Sequence, residues 1–72
     1  MPRDIVYAVQ TERETDGRWI AEVPALPGVL AYGTSESEAQ ARAQALALRV
    51  LAEQLEHDET DRSLLHLAFQ PA

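Results

Sequence analysis

Apolar and polar residues alternate along two short stretches near the start of the chain, residues 4–12 and 18–23. Alternation with a period of two, together with many β-branched residues, is typical of half-buried β-strands. A third, shorter apolar stretch at 29–32 is closed by Gly33 and predicts a third strand. Residues 63–70 alternate in the same way and predict a final strand.

Asp16-Gly17, between the first two strands, is a strong hairpin signal. A two-residue loop would place Glu12 and Glu14 on the apolar face of the strands, whereas a three-residue loop ending at Gly17 keeps that face apolar. Because a shift of one residue moves every side chain to the other face, we predict the three-residue loop. It places Arg13 opposite Trp19, with the indole in the core or at an interface. The core face of this hairpin is then Ile5, Tyr7, Val9, Ala21 and Val23.

A long helix is predicted from the capping-box sequence that starts at Ser35, where Ser35 and Glu38 bind each other's backbone amides, to about Glu56. This segment holds six alanines and no glycine or proline. Its apolar positions fall on two stripes. The stripe predicted to cover the sheet is Ala39, Ala43, Leu46 and Val50. The stripe predicted to contact another copy of the chain is Ala41, Ala45, Leu48, Ala52 and Leu55, unless the helix is simply buried widely in its own domain.

The order of elements, β-β-β-α-β, predicts a single α+β domain over residues 1–72, with a small antiparallel sheet covered by one long helix. A chain of 72 residues is close to the lower size limit for an unaided core. There is no cysteine, so disulfides cannot support the fold. Self-association as a homodimer or tetramer is the remaining device, and a hydrophobic content of 46% suits it.

The segment between the second and third strands is the most distinctive part of the sequence. Its two prolines bracket a turn, and Leu26-Pro27-Gly28-Val29 fits a type II turn. Rigid, partly apolar loops often carry binding surfaces, although this one could be only a tight connection. The predicted partner-binding residues are Pro24, Ala25, Leu26, Pro27, Gly28 and Val29.

Charge makes nucleic acid an unsuitable partner. The net charge is −6, and six scattered arginines are outnumbered by twelve acidic residues, whereas nucleic-acid binding needs clustered basic side chains. An acidic chain suits a basic protein partner, unless the acidity confers only solubility. No apolar run approaches the roughly 20 residues of a membrane-spanning helix, and no signal peptide precedes the first strand. We therefore expect a cytoplasmic protein.

The sequence singles out no catalytic pair, metal site or cofactor site, so we do not expect an enzyme. Local roles at a helix cap, a first turn and a strand start account for Ser35, Ser37 and Ser63. We interpret His57 as a residue near the helix C-terminus and His66 as a strand residue. Loop carboxylates without calcium-loop spacing are Asp58, Glu59 and Asp61.

In combination, these motifs resemble the HicB family of antitoxins over about residues 5–70. The residues that carry the resemblance are Tyr7, Asp16-Gly17, Trp19, Ala21, Val23-Pro24, Leu26-Pro27-Gly28, Gly33 and the capped Glu38-Ala39 helix start. The resemblance implies a partial RNase H-like fold with the order derived above. It also implies a partner, a HicA-like toxin, which is a small basic protein of double-stranded-RNA-binding fold that cleaves mRNA.

HicB-like proteins typically mask the active site and RNA-binding face of the toxin, and they are commonly dimers or higher oligomers. Many carry a C-terminal DNA-binding segment, whereas this chain ends after its last strand, so we expect no direct DNA binding. We expect no nuclease activity either, because the first strand is apolar between Asp4 and Glu12. The family also includes stand-alone proteins, so a homo-oligomeric binding module without a toxin partner is the alternative.

Overall fold

The computed structural model describes residues 5–57 and 67–71 of the chain. Within these ranges it contains four strands and one helix, in the predicted order β-β-β-α-β, and the α+β class is confirmed. The elements are β1 (Ile5–Arg13), β2 (Trp19–Glu22), β3 (Leu30–Gly33), α1 (Glu36–Glu56) and β4 (Leu67–Pro71).

The four strands form one sheet in the order β3-β2-β1-β4. The pairs β1–β2 and β2–β3 are antiparallel, but β4 pairs with β1 in parallel, so the sheet is mixed and not purely antiparallel as predicted. Because β1–β2 and β2–β3 are both antiparallel, β3 runs in the same direction as β1. Helix α1 then carries the chain across the sheet, from β3 at one edge to β4 at the other. A crossover of this kind returns the next strand in the same direction, which accounts for the parallel pair.

The first hairpin has the predicted register. Arg13 lies opposite Trp19 and Thr11 opposite Ala21. The backbone N–H of Glu14 donates to the carbonyl of Arg18 at 2.7 Å, which closes the three-residue loop. Gly17 has a φ of 91°, a conformation that side chains with a Cβ rarely adopt. The glycine therefore allows the loop length that keeps carboxylates off the core face.

The connection between β2 and β3 contains the predicted type II turn. The N–H of Val29 donates to the carbonyl of Leu26 at 3.0 Å, and Gly28 has a φ of 85°. Strand β2 ends before Pro24, as expected for a residue without a backbone N–H. A hydrogen bond from the N–H of Val23 to the carbonyl of Val29 at 3.0 Å ties the two ends of the loop together.

Helix α1 begins as the capping sequence predicts, with one difference. The hydroxyl of Ser35 accepts from the N–H of Glu38 at 3.1 Å. The carboxylate of Glu38, however, accepts from the N–H of Thr34 at 3.1 Å, one residue earlier than in the predicted capping box. Glu38 therefore links the first turn of α1 to Thr34, the residue that follows β3.

The helix packs on the sheet through a face that contains half of the predicted stripe, since Ala39 and Ala43 are buried as predicted. Its buried residues repeat every four positions, and they lie against Val9, Ala21 and Val23. Leu46 and Val50, predicted to lie in this face, are only partly buried beside it. The core positions of the helix are Ala39, Ala43, Ala47 and Leu51.

The predicted final strand covers 63–70, and the structure places β4 at Leu67–Pro71. Several sequence-based interpretations fall on residues outside the described ranges. These residues are Asp4, Asp58, Glu59, Asp61, Ser63 and His66.

Candidate functional site

The two faces of the sheet differ in what covers them. Helix α1 packs on one face. Within residues 5–57 and 67–71, no element covers the other face, which we call the open face. Several apolar side chains project from it. Leu30 is 39% exposed, Tyr32 is 41% exposed, and Ile20 is half-buried. Apolar side chains gathered on one uncovered face mark a candidate binding surface.

Strand register determines the layout of this surface. Ile20 lies opposite Tyr32 on β3 and opposite Glu12 on β1. Glu22 lies opposite Leu30, one step along the same strands. Cross-strand neighbours on one face are about 5 Å apart. These five residues, Glu12, Ile20, Glu22, Leu30 and Tyr32, therefore form one continuous surface, which we call the open-face patch.

A shallow depression lies beside the patch, between β1 and β2. Three of its six lining residues are glutamates, and within residues 5–57 and 67–71 no basic side chain lines it. Among the described residues, the two ion pairs involve other acids: Asp16 with Arg18 at 2.8 Å, and Glu38 with Arg42 at 3.3 Å. The carboxylates of the depression thus have no ion-pair partner in the described part of the chain. The lining residues are Gln10, Thr11, Glu12, Glu14, Ile20 and Glu22.

Arg18 reaches the patch, and its charge is already offset by an ion pair with Asp16. The guanidinium of Arg18 lies over the ring of Tyr32, 4.8 Å from the ring centroid. Asp16 accepts from the backbone N–H of Arg18 at 3.0 Å and from its Nε at 2.8 Å. That backbone N–H, and then the guanidinium, lower the pKa of Asp16 below its ordinary value of 3.8. The turn therefore holds the guanidinium of Arg18 between Asp16 and the ring of Tyr32.

The predicted partner-binding loop divides between core and surface. Leu26 is 8% exposed and Val29 is 2% exposed, so these two side chains belong to the hydrophobic core. The exposed part of the loop is Pro24, Ala25, Pro27 and Gly28. This remaining surface is small, apolar and uncharged.

The predicted oligomer stripe is largely uncovered. Leu55 is half-buried beside the core, so only part of its side chain is free to contact another chain. Leu48 is 49% exposed. The alternating spacing of four and three residues along the stripe is that of a coiled-coil seam. The remaining exposed members are Ala41, Ala45 and Ala52.

Catalytic groups do not converge in the part of the chain that the structure describes. Ser35 and Ser37 lie at the helix start, with their hydroxyls 3.3 Å apart. His57 caps the helix C-terminus, where its backbone N–H donates to the carbonyl of Glu53 at 3.0 Å. Between residues 5 and 57 and in β4, no group of three histidine or acidic side chains could hold a metal ion. Helix α1 is not apolar enough to cross a membrane.

Comparison with protein-family models, with curated proteins and with solved structures finds no match for this chain. The resemblance to HicB antitoxins therefore rests on the sequence motifs alone.

The open-face patch is absent from the residues predicted to bind a partner. Its signal was nevertheless present in the sequence. Alternation along β2 puts Ile20 and Glu22 on the face opposite Ala21, so the two residues had to share a surface. What the alternation could not reveal is that α1, the helix described between residues 5 and 57, packs on the other face.

Proposed function

We propose that this protein is an antitoxin that binds and inhibits a small, basic, HicA-like mRNA-cleaving toxin. The motifs of the second hairpin strand, the proline loop and the capped helix support this proposal, because together they resemble the HicB family. The protein acts by contact, and no catalytic step is assigned to its own residues.

The observation that carries the proposal is the composition of the open face. Apolar side chains at Ile20, Leu30 and Tyr32 lie next to carboxylates at Glu12 and Glu22 that have no ion-pair partner in the described chain. Protein interfaces combine an apolar centre with a polar rim. A rim of one sign selects a partner of the opposite sign, and an RNA-binding toxin presents a basic surface.

The net charge of the chain supports the same choice. A charge of −6 on 72 residues attracts a basic partner over distances of about 8 Å at physiological salt. Such attraction speeds encounter more than it strengthens the final complex. The association rate with a basic toxin should therefore fall steeply as salt is raised, while the dissociation rate changes little.

Inhibition of RNA cleavage is the direct test. A HicA-like protein from the same host is incubated with mRNA, alone and with one equivalent of this chain. We expect cleavage to stop near a one-to-one ratio. An unrelated acidic protein of similar size and charge serves as the control and should leave cleavage unchanged. Undiminished cleavage with an excess of this chain would rule out the antitoxin proposal.

The second candidate is a stand-alone homo-oligomer, and the heptad-like stripe on α1 favours it. Ala41, Ala45, Leu48 and Ala52 are exposed on the face of the helix away from the sheet. Small residues at such positions let two helices approach closely. If this stripe joins two copies, native mass spectrometry will give a dimer or tetramer, and Leu48→Glu will give a monomer. Glu53→Gln, on the same helix, is the matched control and should keep the oligomer.

A further inference from the structure

We infer that the partner docks on the open face, with an arginine or lysine side chain in the acidic depression and an apolar side chain across Ile20 and Tyr32. This inference rests on the proposed function, since it specifies where that partner binds. It places the contact on strands β1, β2 and β3 of the open face and not on the predicted proline loop.

The apolar half of the patch has the geometry of an anchor site. Ile20 and Tyr32 are cross-strand neighbours, and Leu30 lies diagonally from Ile20 on the same face. Leu30 and Tyr32 both keep roughly two fifths of their surface in contact with solvent. A side chain of the partner laid over this group would remove apolar surface from water, which is the main favourable contribution to association.

The acidic half of the patch determines the charge of the occupant. Glu12, Glu14 and Glu22 line the depression together, and none has an ion-pair partner among the described residues. Because all three side chains are negatively charged, a cation placed in the depression is attracted by each of them. Arginine fits best, because its planar guanidinium can bind two carboxylate oxygens at once.

The same charges disfavour a second copy of the chain on this face. Two open faces brought together would gather three carboxylates from each copy in one interface, and the Arg18 beside them is already paired with Asp16. Like charges gathered in an interface oppose its formation. We therefore expect self-association to use another surface, such as the α1 stripe, which leaves the open face to a basic partner.

The other exposed surfaces lack this combination. The proline loop exposes Pro24, Ala25 and Pro27, which are apolar but carry no charge. The α1 stripe is bordered by residues of both signs, including Arg49 and Glu53, so it does not select a basic partner. Among the described residues, the open-face patch is where apolar side chains and unpaired carboxylates adjoin.

Calorimetry with the HicA-like toxin tests the site. We compare the wild-type chain with a Glu12→Gln/Glu22→Gln double variant and with Ile20→Ala. The matched controls are Glu53→Gln and Leu48→Ala, and circular dichroism verifies that each variant folds. Loss of two charge contacts should weaken binding about tenfold or more, with a similar loss for Ile20→Ala and little change in the controls. Equal affinity for wild type and the double variant would overturn the docking site but leave the antitoxin function standing.

A second probe separates failure of the site from failure of the function. A five-residue peptide of alternating arginine and leucine is titrated into the ¹⁵N-labelled chain. We expect saturable shifts confined to the amides of 10–14, 20–22 and 30–32, and their loss in the double variant. If the toxin does not bind but these shifts appear, the antitoxin function is wrong and the cationic docking site is supported. Shifts of equal size around Glu53 and Glu56 would overturn the site.

Discussion

Gly33, the last residue of β3, lies directly against the first turn of helix α1. A Cβ at this position would be 2.5 Å from the backbone N of Ala39 and 3.0 Å from its Cα. Both atoms belong to the helix backbone, so no flexible side chain can move aside. The glycine therefore permits the close approach of strand and helix that brings Ala39 and Ala43 into the core.

Replacing Gly33 with alanine should lower the free energy of unfolding by about 3 kcal/mol, the upper part of the range for overpacked sites. Gly28→Ala is the matched control. Gly28 has a φ of 85° but open space around it, so its alanine variant should cost only about 1 kcal/mol of backbone strain. Urea denaturation measures both values. A larger loss for Gly28→Ala than for Gly33→Ala would show that the close approach does not limit packing.

Asp16 gives the hairpin turn a pH dependence of known sign. Its pKa is lowered in the folded protein, so its charge adds stability above the unfolded value of 3.8, and that stability is lost as the pH falls through the lower, folded pKa. Wild type should therefore exceed Asp16→Asn in stability at about pH 6, and the difference should shrink towards zero in strong acid.

Urea midpoints measured across this pH range test the expectation. Glu56→Gln, at an exposed helix position, is the control. A difference between wild type and Asp16→Asn that stays constant into strong acid would mean that the charge of Asp16 plays no part.

At the scale of elements, strand β3 is an edge of the sheet that α1 partly protects. The backbone N–H of Val23 donates to the carbonyl of Val29. Since residues of an antiparallel pair alternate between facing the partner strand and facing away from it, the backbone N–H and C=O groups of Leu30 and Tyr32 point away from β2. Nη1 of Arg42, from the helix, donates to the carbonyl of Tyr32 at 3.0 Å. Unpaired edge groups next to apolar side chains invite pairing with another chain, and a charged side chain bound to the edge opposes it.

Arg42→Ala should therefore increase self-association through β3. Removal of the Arg42 guanidinium frees the carbonyl of Tyr32, which can then accept a hydrogen bond from β3 of a second copy. Sedimentation velocity over a concentration series measures the effect. Arg49→Ala removes the same charge from the same helix without freeing an edge carbonyl, and we expect it to sediment as wild type does. Matching behaviour of the two variants would refute a protective role for Arg42.

Elements whose structure is set by neighbouring residues could be predicted from the sequence, whereas those set by contacts between distant segments could not. The register of the first hairpin was predictable because only one loop length keeps Glu12 and Glu14 off the core face. The buried face of α1 was predictable only in part: Ala39 and Ala43 were placed in it, but Ala47 and Leu51 were not, because alanines occupy nearly every side of the helix and weaken its periodicity. The parallel pairing of β4 was also beyond the sequence, since it joins strands with no turn between them.

The open-face patch was predictable in part for the same reason. The alternation in β2 shows that Ile20 and Glu22 share a face, and the hairpin register adds Glu12 to them. The place of Tyr32 beside Ile20 depends on the pairing of β2 with β3, which the intervening proline loop sets. That no helix of the described residues covers this face follows from the side on which α1 packs, and neither strand encodes that choice by itself.

At the scale of the whole molecule, β4 completes the sheet as an edge strand that pairs with β1. The rings of Tyr7 and Phe69, opposite each other in this pair, lie 5.8 Å apart between centroids and pack beside the core. Aromatic contacts of this kind stabilise beyond the area they bury. The attachment of β4 thus depends on a small number of half-buried side chains.

Phe69→Ala should reduce the free energy of unfolding by about 2 kcal/mol, less than for a fully buried ring. Gln70→Ala, the next residue, points to the opposite face and should cost little. Hydrogen exchange should locate the loss, with amides of β1 that face β4 exchanging faster while those that face β2 stay protected. Uniform loss of protection across the sheet would mean that β4 is not a separately opening unit.

The pairing of β1 with β4 also has a consequence for biosynthesis. Strand β1 leaves the ribosome before the other elements of this domain, and its partner β4 leaves it after them. At synthesis rates of about 5–20 residues per second, the outer edge of β1 stays unpaired for several seconds while β2, β3 and α1 assemble on its other side. A nascent chain at this stage presents Val6 and Tyr7 on an open edge, so completion of the domain waits for release of β4 from the ribosome.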